Sequence, residues 1–293
     1  MTEPLMDGKI CLVTGGTAGI GLVTARGLAE RGARVIVVGR DRRRGEAAVA
    51  ALAEGCPGAA VEFVAADLSD QGEIRRLAGD VLARVPRLDV LVNNAGAMFG
   101  RRRTSADGIE MTFALNHLGY FLLTHELMAA LRAAPAARVV NVASRAHRGV
   151  ALHFDDLQHE RRYSGWIAYK RSKLANLLFT YELARRLDGT GVTANALHPG
   201  FVATEIGVAN GLLAGIVWRT VALAAITPEK GARTSIHLAS APDVETVSGG
   251  YFAECRPERS SAASCDREAA ARLWDISAEL TGIGSIASRF AGG

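Results

Sequence analysis

The most constraining feature is the opening strand–turn–helix unit. Lys9 to Thr14 is a short apolar run, residues 14–21 read TGGTAGIG, and a helical pattern follows to about Arg31. A second, near-continuous apolar run from Ala33 to Gly39 completes the unit. Runs apolar on both faces suit a parallel sheet covered by helices on its two sides. In the turn, which also holds Thr17 and Ile20, Gly15 permits a tight bend and Gly19 lets backbone approach a pyrophosphate. Gly21 admits close packing of helix on strand. Free N–H groups and the helix dipole then favour phosphate charge. The spacing GxxxGxG lacks the Gly-Lys-Ser/Thr ending of a triphosphate loop, so it points to a dinucleotide and away from ATP or GTP hydrolysis.

The end of the second strand bears on which dinucleotide is bound. An NAD site usually places an acid there for the ribose hydroxyls. Here the order is Gly39-Arg40-Asp41-Arg42-Arg43-Arg44. Arg40 offers a planar fork of donors to a 2′-phosphate. Asp41 is an alternative candidate as a helix cap, and Arg43 and Arg44 read as solvated charge. NADP is expected over NAD.

The alternation continues down the chain. Helix is expected from Asp41 to about Glu54, strand at Ala60–Ala65, helix at Gln71–Arg84 and strand at Asp89–Val92. Thr104 is a candidate cap for a long helical region reaching Leu131, followed by a strand at Arg138–Val142 and a helix from near Tyr163 to Leu187. Then come a strand at Val192–Leu197, an apolar helix at Leu212–Ala225, and a helix from Pro228 to about Ala239. A short strand near Tyr251 and a helix at Asp266–Leu280 end the series. No linker interrupts the 293 residues. The expected fold is one doubly wound α/β domain of Rossmann type, a parallel sheet of about seven strands with helices on both faces. Residues 8–200 would form the cofactor and catalytic core, and residues 201–293 the substrate lid and C-terminal completion.

Composition removes several classes. With 49% apolar and 22% charged residues the chain is no disordered polymer. Net charge is +4, the basic residues are scattered arginines with only four lysines, and no zinc-finger spacing or basic tail occurs, so nucleic acid is not expected as a partner. Cys11, Cys56, Cys255 and Cys265 form no CxxC pair, which suits a reducing cytoplasm, although Cys255 and Cys265 could pair. His117, His147, His153 and His198 show no ligand spacing, and no metal is expected. The acidic opening MTEPLMDGK does not read as a signal peptide, and the apolar stretch Ala209–Ile226 is interrupted by Asn210 and Arg219, favouring a soluble helix over a transmembrane one.

Tyr169 and Lys173 lie four residues apart, on one face of a helix. A tyrosine with pKa near 10 is a poor acid–base, and a neighbouring ammonium lowers that value by stabilising the phenolate. Ser144 follows a strand at the carboxyl edge, where open α/β sheets bind ligands. Its hydroxyl is placed to hold a substrate oxygen while Tyr169 exchanges the proton.

With these marks in order, the chain resembles the short-chain dehydrogenases/reductases: TGGTAGIG at 14–21, NNAG at 93–96, Ser144, and Tyr169 with Lys173. The resemblance implies an NAD(P)-dependent oxidoreductase, often a homodimer or homotetramer, that interconverts an alcohol and its aldehyde or ketone. It assigns Ser144, Tyr169 and Lys173 as catalytic and Asn116 as support for a proton relay through water. It places Asp67, with Leu68, near the adenine, and Asn94, Ala95 and Gly96 against the cofactor. Pro199, Gly200, Val202 and Thr204 match the stretch closing over the nicotinamide. ALHFDDLQ at 151–158 and SKLANLLFTYELARRL at 172–187 resemble the retinol-dehydrogenase-like branch, implying an apolar small-molecule substrate. Leu212, Leu213, Ile216, Val217 and Trp218 would line its pocket or simply pack a helix. Two other readings are an NADP-binding regulatory protein without turnover and a sugar-nucleotide epimerase or dehydratase.

Overall fold

The computed structural model describes residues 5–200 and 227–283. Among these described residues seven parallel strands form the sheet: β1 (Ile10–Thr14), β2 (Arg34–Gly39), β3 (Val61–Ala65), β4 (Val90–Asn93), β5 (Ala137–Val142), β6 (Val192–Leu197) and β7 (Tyr251–Ala253). An eighth, β8 (Arg256–Pro257), pairs antiparallel with β7. The spatial order is β3-β2-β1-β4-β5-β6-β7-β8, so the winding reverses between β1 and β4. A ligand crevice opens at such a switch point, beyond the carboxyl ends of the strands.

Alternation of side chains across the sheet creates two cores. Leu12, Ile36, Val38, Leu91 and Val139 face one layer. Cys11, Val13, Val35, Val37 and Val140 face the other. The first layer is covered by α3 (Gln71–Leu82), α5 (Gly119–Glu126), α6 (Met128–Arg132), α7 (Gly165–Arg186) and α9 (Arg267–Leu280). The second is covered by α1 (Gly19–Ala29), α2 (Arg42–Gly55) and α8 (Pro228–Ser240). Caps fix several helix starts: Asp41 accepts from Arg44 N at 3.0 Å, Asp70 from Glu73 N at 3.0 Å and Asp266 from Ala269 N at 3.0 Å.

Two boundaries differ from the sequence expectation. The eighth strand exists because Glu254 and Cys255 both adopt positive φ (48° and 62°), the backbone of a tight two-residue hairpin. Neither residue type advertises that conformation. Thr104 caps nothing; it pairs with Glu110 in an isolated bridge. The helical region starts instead at α4 (Met111–Phe113), where the buried Glu110 carboxylate accepts from Thr112 N (2.9 Å) and Phe113 N (2.8 Å). A π-turn at Ala114–Leu118 then joins α4 to α5.

Candidate active site

The glycine turn is built as a close approach. Gly15 and Gly19 have φ of +62° and +54°, the left-handed region. A Cβ on Gly15 would lie 2.9 Å from Ala95 Cα, and one on Gly21 would lie 2.5 Å from Asn94 Nδ2 and against the Gly15 carbonyl. Asn94 fastens the turn from β4, donating its amide to Thr14 O at 2.8 Å, while Thr14 Oγ1 accepts from Asn94 N (2.8 Å) and Ala95 N (3.0 Å). Thr17 packs over the end of β2, where a Cβ on Gly39 would meet its Cγ2 at 2.7 Å. Ile20 turns into the buried face of α1. This floor, which side chains would fill, fits a pyrophosphate laid on main-chain N–H groups.

Beside it opens a cleft of about 790 Å³ whose lining includes Arg40, Asp41, Ala66 and Asp67. Arg40 is exposed, whereas Asp41 is engaged as the α2 cap. Asp67 accepts from Ser69 N (2.9 Å) and Ser69 Oγ (2.7 Å), which shapes the turn after β3. Leu68 points into the core, leaving only its backbone for a ligand.

Next to the switch point lie the four candidate catalytic residues. Asn116 sits in the π-turn: its Oδ1 accepts from Ala97 N (2.8 Å), and its amide donates to Ala97 O (3.0 Å) and Ser172 Oγ (2.9 Å). Gly96 lies between it and Lys173, since a Cβ there would be 3.2 Å from Asn116 Oδ1 and 3.4 Å from Lys173 Nζ. Lys173 is buried and donates to Val142 O at 2.9 Å. Burial pulls its pKa down to about 7. Its ammonium lies 5.8 Å from the Tyr169 ring centroid and 5.7 Å from that of Tyr120. Burial pushes the Tyr169 phenol up, and the neighbouring Ser144 side chain works the other way. Ser144 is held by its own turn, its Oγ accepting from Ala146 N at 3.2 Å. Pro199 and Gly200 follow β6, where Gly200 N donates to His198 Nδ1 at 3.0 Å. Val202, Thr204, the Leu212–Ala225 helix and its candidate pocket residues lie outside the described residues.

Several supports carried little sequence signal. Asn93 donates to Asn141 Oδ1 (2.9 Å) and Thr124 Oγ1 (3.0 Å), and Asn141 donates to Thr180 Oγ1 (3.0 Å), a buried amide ladder tying β4, β5, α5 and α7 together. Tyr163 donates to Phe99 O at 2.8 Å, and Gly165 is required because a Cβ there would strike that same carbonyl. Trp166 stays half-exposed while stacking on Tyr169, with centroids 5.9 Å apart and planes at 17°. Among the described residues no group of three His, Cys, Asp or Glu could hold a metal, and no helix is long and apolar enough to cross a membrane. Cys255 and Cys265 are free thiols.

The family profile described as short chain dehydrogenase matches residues 9–211. The chain belongs to this family. It is 44% identical to mouse (Mus musculus) retinol dehydrogenase 12 over 282 residues, covering 96% of this chain and 89% of the relative. Identity to human (Homo sapiens) retinol dehydrogenase 14 is 43% over 295 residues, covering 95% and 88%. Among solved structures, an uncharacterized protein from Mycobacterium Paratuberculosis superposes with a TM-score of 0.78 at 36% identity, covering 96% of each chain. A complex of Pseudomonas aeruginosa RhlG with NADP superposes with a TM-score of 0.69 at 29% identity, covering 86% of this chain and 97% of that one. Membership makes the chain an NAD(P)-using oxidoreductase, of the class that interconverts alcohols and carbonyl compounds.

Proposed function

We propose that the chain interconverts an apolar alcohol and its aldehyde or ketone with NADP in preference to NAD, using Tyr169 as general acid and base. The carrying observation is the placement of the buried Tyr169 phenol against the Ser144 side chain, one helical turn from Lys173, whose ammonium lies 5.8 Å from the Tyr169 ring centroid. Gly15, Gly19 and Gly21 would hold the pyrophosphate, and Lys173 the nicotinamide ribose. When bound, the dinucleotide supplies or accepts the hydride. In reduction, Ser144 Oγ and the Tyr169 hydroxyl hydrogen-bond the carbonyl oxygen as negative charge grows on it. Tyr169 then gives that oxygen its proton, and the Lys173 ammonium stabilises the phenolate left behind. Because the Asn116 amide is committed to Ala97 and Ser172, its part in proton resupply falls to the main chain of the π-turn, a common site of function.

Engagement of Asp41 as a cap supports NADP: the acid that follows Arg40 is withdrawn from the ribose and Arg40 remains for a phosphate. An apolar substrate is supported by the half-exposed Trp166 face beside Tyr169 and by the retinol dehydrogenases among the relatives. The test is cofactor depletion with a panel of apolar aldehydes, ketones, steroids and retinoids, NADPH and NADH being run in parallel. Turnover with higher kcat/KM for NADPH is expected. Binding of NADPH with no turnover of any compound would overturn the enzymatic reading in favour of an idle nucleotide-binding protein.

A further inference from the structure

A buried cluster behind Ser144 has no part in the mechanism above. His147 is fully buried, and both its ring nitrogens are engaged. Ser261 N donates to its Nε2 at 3.1 Å, which places the proton on Nδ1. That Nδ1–H then donates to Ser144 O at 2.7 Å, and the His147 main-chain N donates to the same oxygen at 3.1 Å. One residue therefore fills both acceptor positions of the Ser144 carbonyl. The Ser144 backbone is extended (φ −163°, ψ 151°), so fixing its peptide plane fixes the root from which Oγ projects toward Tyr169.

The segment Glu258–Ser261 that supplies the donor is itself anchored at several points. Glu258 N donates to Tyr251 O at 2.8 Å, and the Tyr181 hydroxyl on α7 donates to Ser260 Oγ at 2.8 Å. The Glu258 carboxylate takes Arg148 at 3.1 Å, Arg145 at 3.4 Å and His198 Nε2 at 3.2 Å. His198 in turn accepts from Gly200 N through Nδ1. The two histidine rings lie on Tyr251, at 5.3 and 5.9 Å between centroids. The segment thus grips the loop after β5 and the turn after β6 together.

We propose that Glu258–Ser261 acts as a strap for the active site, with His147 as the positioning residue that transmits its hold to Ser144. This rests on the reading of Ser144 as a substrate-oxygen donor. His147 touches no substrate; it acts by keeping the serine within the narrow range of geometry that catalysis requires, where small misplacements cost large factors.

The test compares His147→Phe, His147→Asn and Ser261→Pro with wild type and Ser144→Ala, using NADPH and the most active carbonyl compound of the panel. Phenylalanine removes both bonds of the ring, whereas the asparagine amide can restore the donor to Ser144 O. Proline removes the Ser261 N–H, together with a long 3.4 Å bond from its hydroxyl to Ser264 Oγ that Ser261→Ala removes alone as a control, and the φ of −76° there accommodates it. Expected are a fall in kcat of roughly tenfold or more for His147→Phe, a smaller fall shared by His147→Asn and Ser261→Pro, each of which keeps a donor to Ser144 O but loses the bond to the strap, and unchanged NADPH affinity. Thermal unfolding is recorded for each variant. A lowered Tm with wild-type kcat marks a merely structural histidine and overturns the proposal, as does equal loss in the phenylalanine and asparagine variants. Collapse in Ser144→Ala beside unaffected strap variants refutes the strap alone. Wild-type turnover in Ser144→Ala brings down the reading of the serine, and the strap with it.

Discussion

Gly21→Ala probes the cofactor floor with one methyl group. The added Cβ would stand 2.5 Å from Asn94 Nδ2 and against the Gly15 carbonyl, and neither neighbour is the loose end of a long side chain. Non-bonded carbon contacts settle at roughly 3.5 Å, so the helix start and the β4 amide must part by about 1 Å. Overpacking of this kind costs about 1–3 kcal/mol. Parting also breaks the 2.8 Å bond from Asn94 to Thr14 O, which leaves a half-buried amide short of its acceptor. That adds about 1–2 kcal/mol. A cofactor site distorted by even 2 kcal/mol binds about thirtyfold more weakly, because each 1.4 kcal/mol is tenfold. The control is Gly79→Ala on α3, where nothing lies within 4 Å of the new Cβ. It should leave binding alone and stabilise the helix by about 0.5–1 kcal/mol. NADPH fluorescence titration and thermal unfolding report both quantities. NADPH affinity within threefold of wild type in Gly21→Ala would refute the close-approach argument.

Lys173→Met should alter stability in a pH-dependent way. Burial holds the folded pKa near 7, below the ordinary lysine value, so the unfolded chain binds the extra proton above pH 7 and wild-type stability rises with pH there. The methionine variant should therefore gain most over wild type near pH 6 and lose about 2–3 kcal/mol of that advantage by pH 9, as chemical denaturation would show; a pH-independent difference would remove the buried charge from the account. Arg40→Asp should reverse the preference between NADPH and NADH, lowering kcat/KM with NADPH by about tenfold at low salt and less at high salt, since the guanidinium is exposed. An unchanged ratio would shift the phosphate contact to another residue.

The parts legible in sequence were those that local chemistry dictates. Gly15, Gly19 and Gly21 announced the turn because few other residues fit it, and Tyr169 and Lys173 met on one helix face because helical spacing requires it. The two-sided apolar runs correctly implied a covered parallel sheet. What stayed hidden depends on partners distant in the chain. Asn93 and Asn141 are 48 residues apart and become one amide ladder only in the β4–β5 register. Gly165 resembles an ordinary helix-start glycine until the Phe99 carbonyl is placed against it. Glu110 took the capping role expected of Thr104 because the bridge between the two leaves Glu110 next to the helix start, with its buried carboxylate over the first helical N–H groups. Asp41 was one candidate cap in a run of charges, and its bond to Arg44 N makes it the cap.

The central claim is that Tyr169 exchanges the proton at the substrate oxygen. Tyr169→Phe removes one hydroxyl and keeps the ring that stacks on Trp166 and faces Lys173. Steady-state turnover of the best carbonyl substrate, measured beside NADPH affinity in the same preparation, isolates that hydroxyl. A fall in kcat of about 10²–10⁴-fold with unchanged NADPH affinity is predicted. Turnover equal to wild type would contradict it.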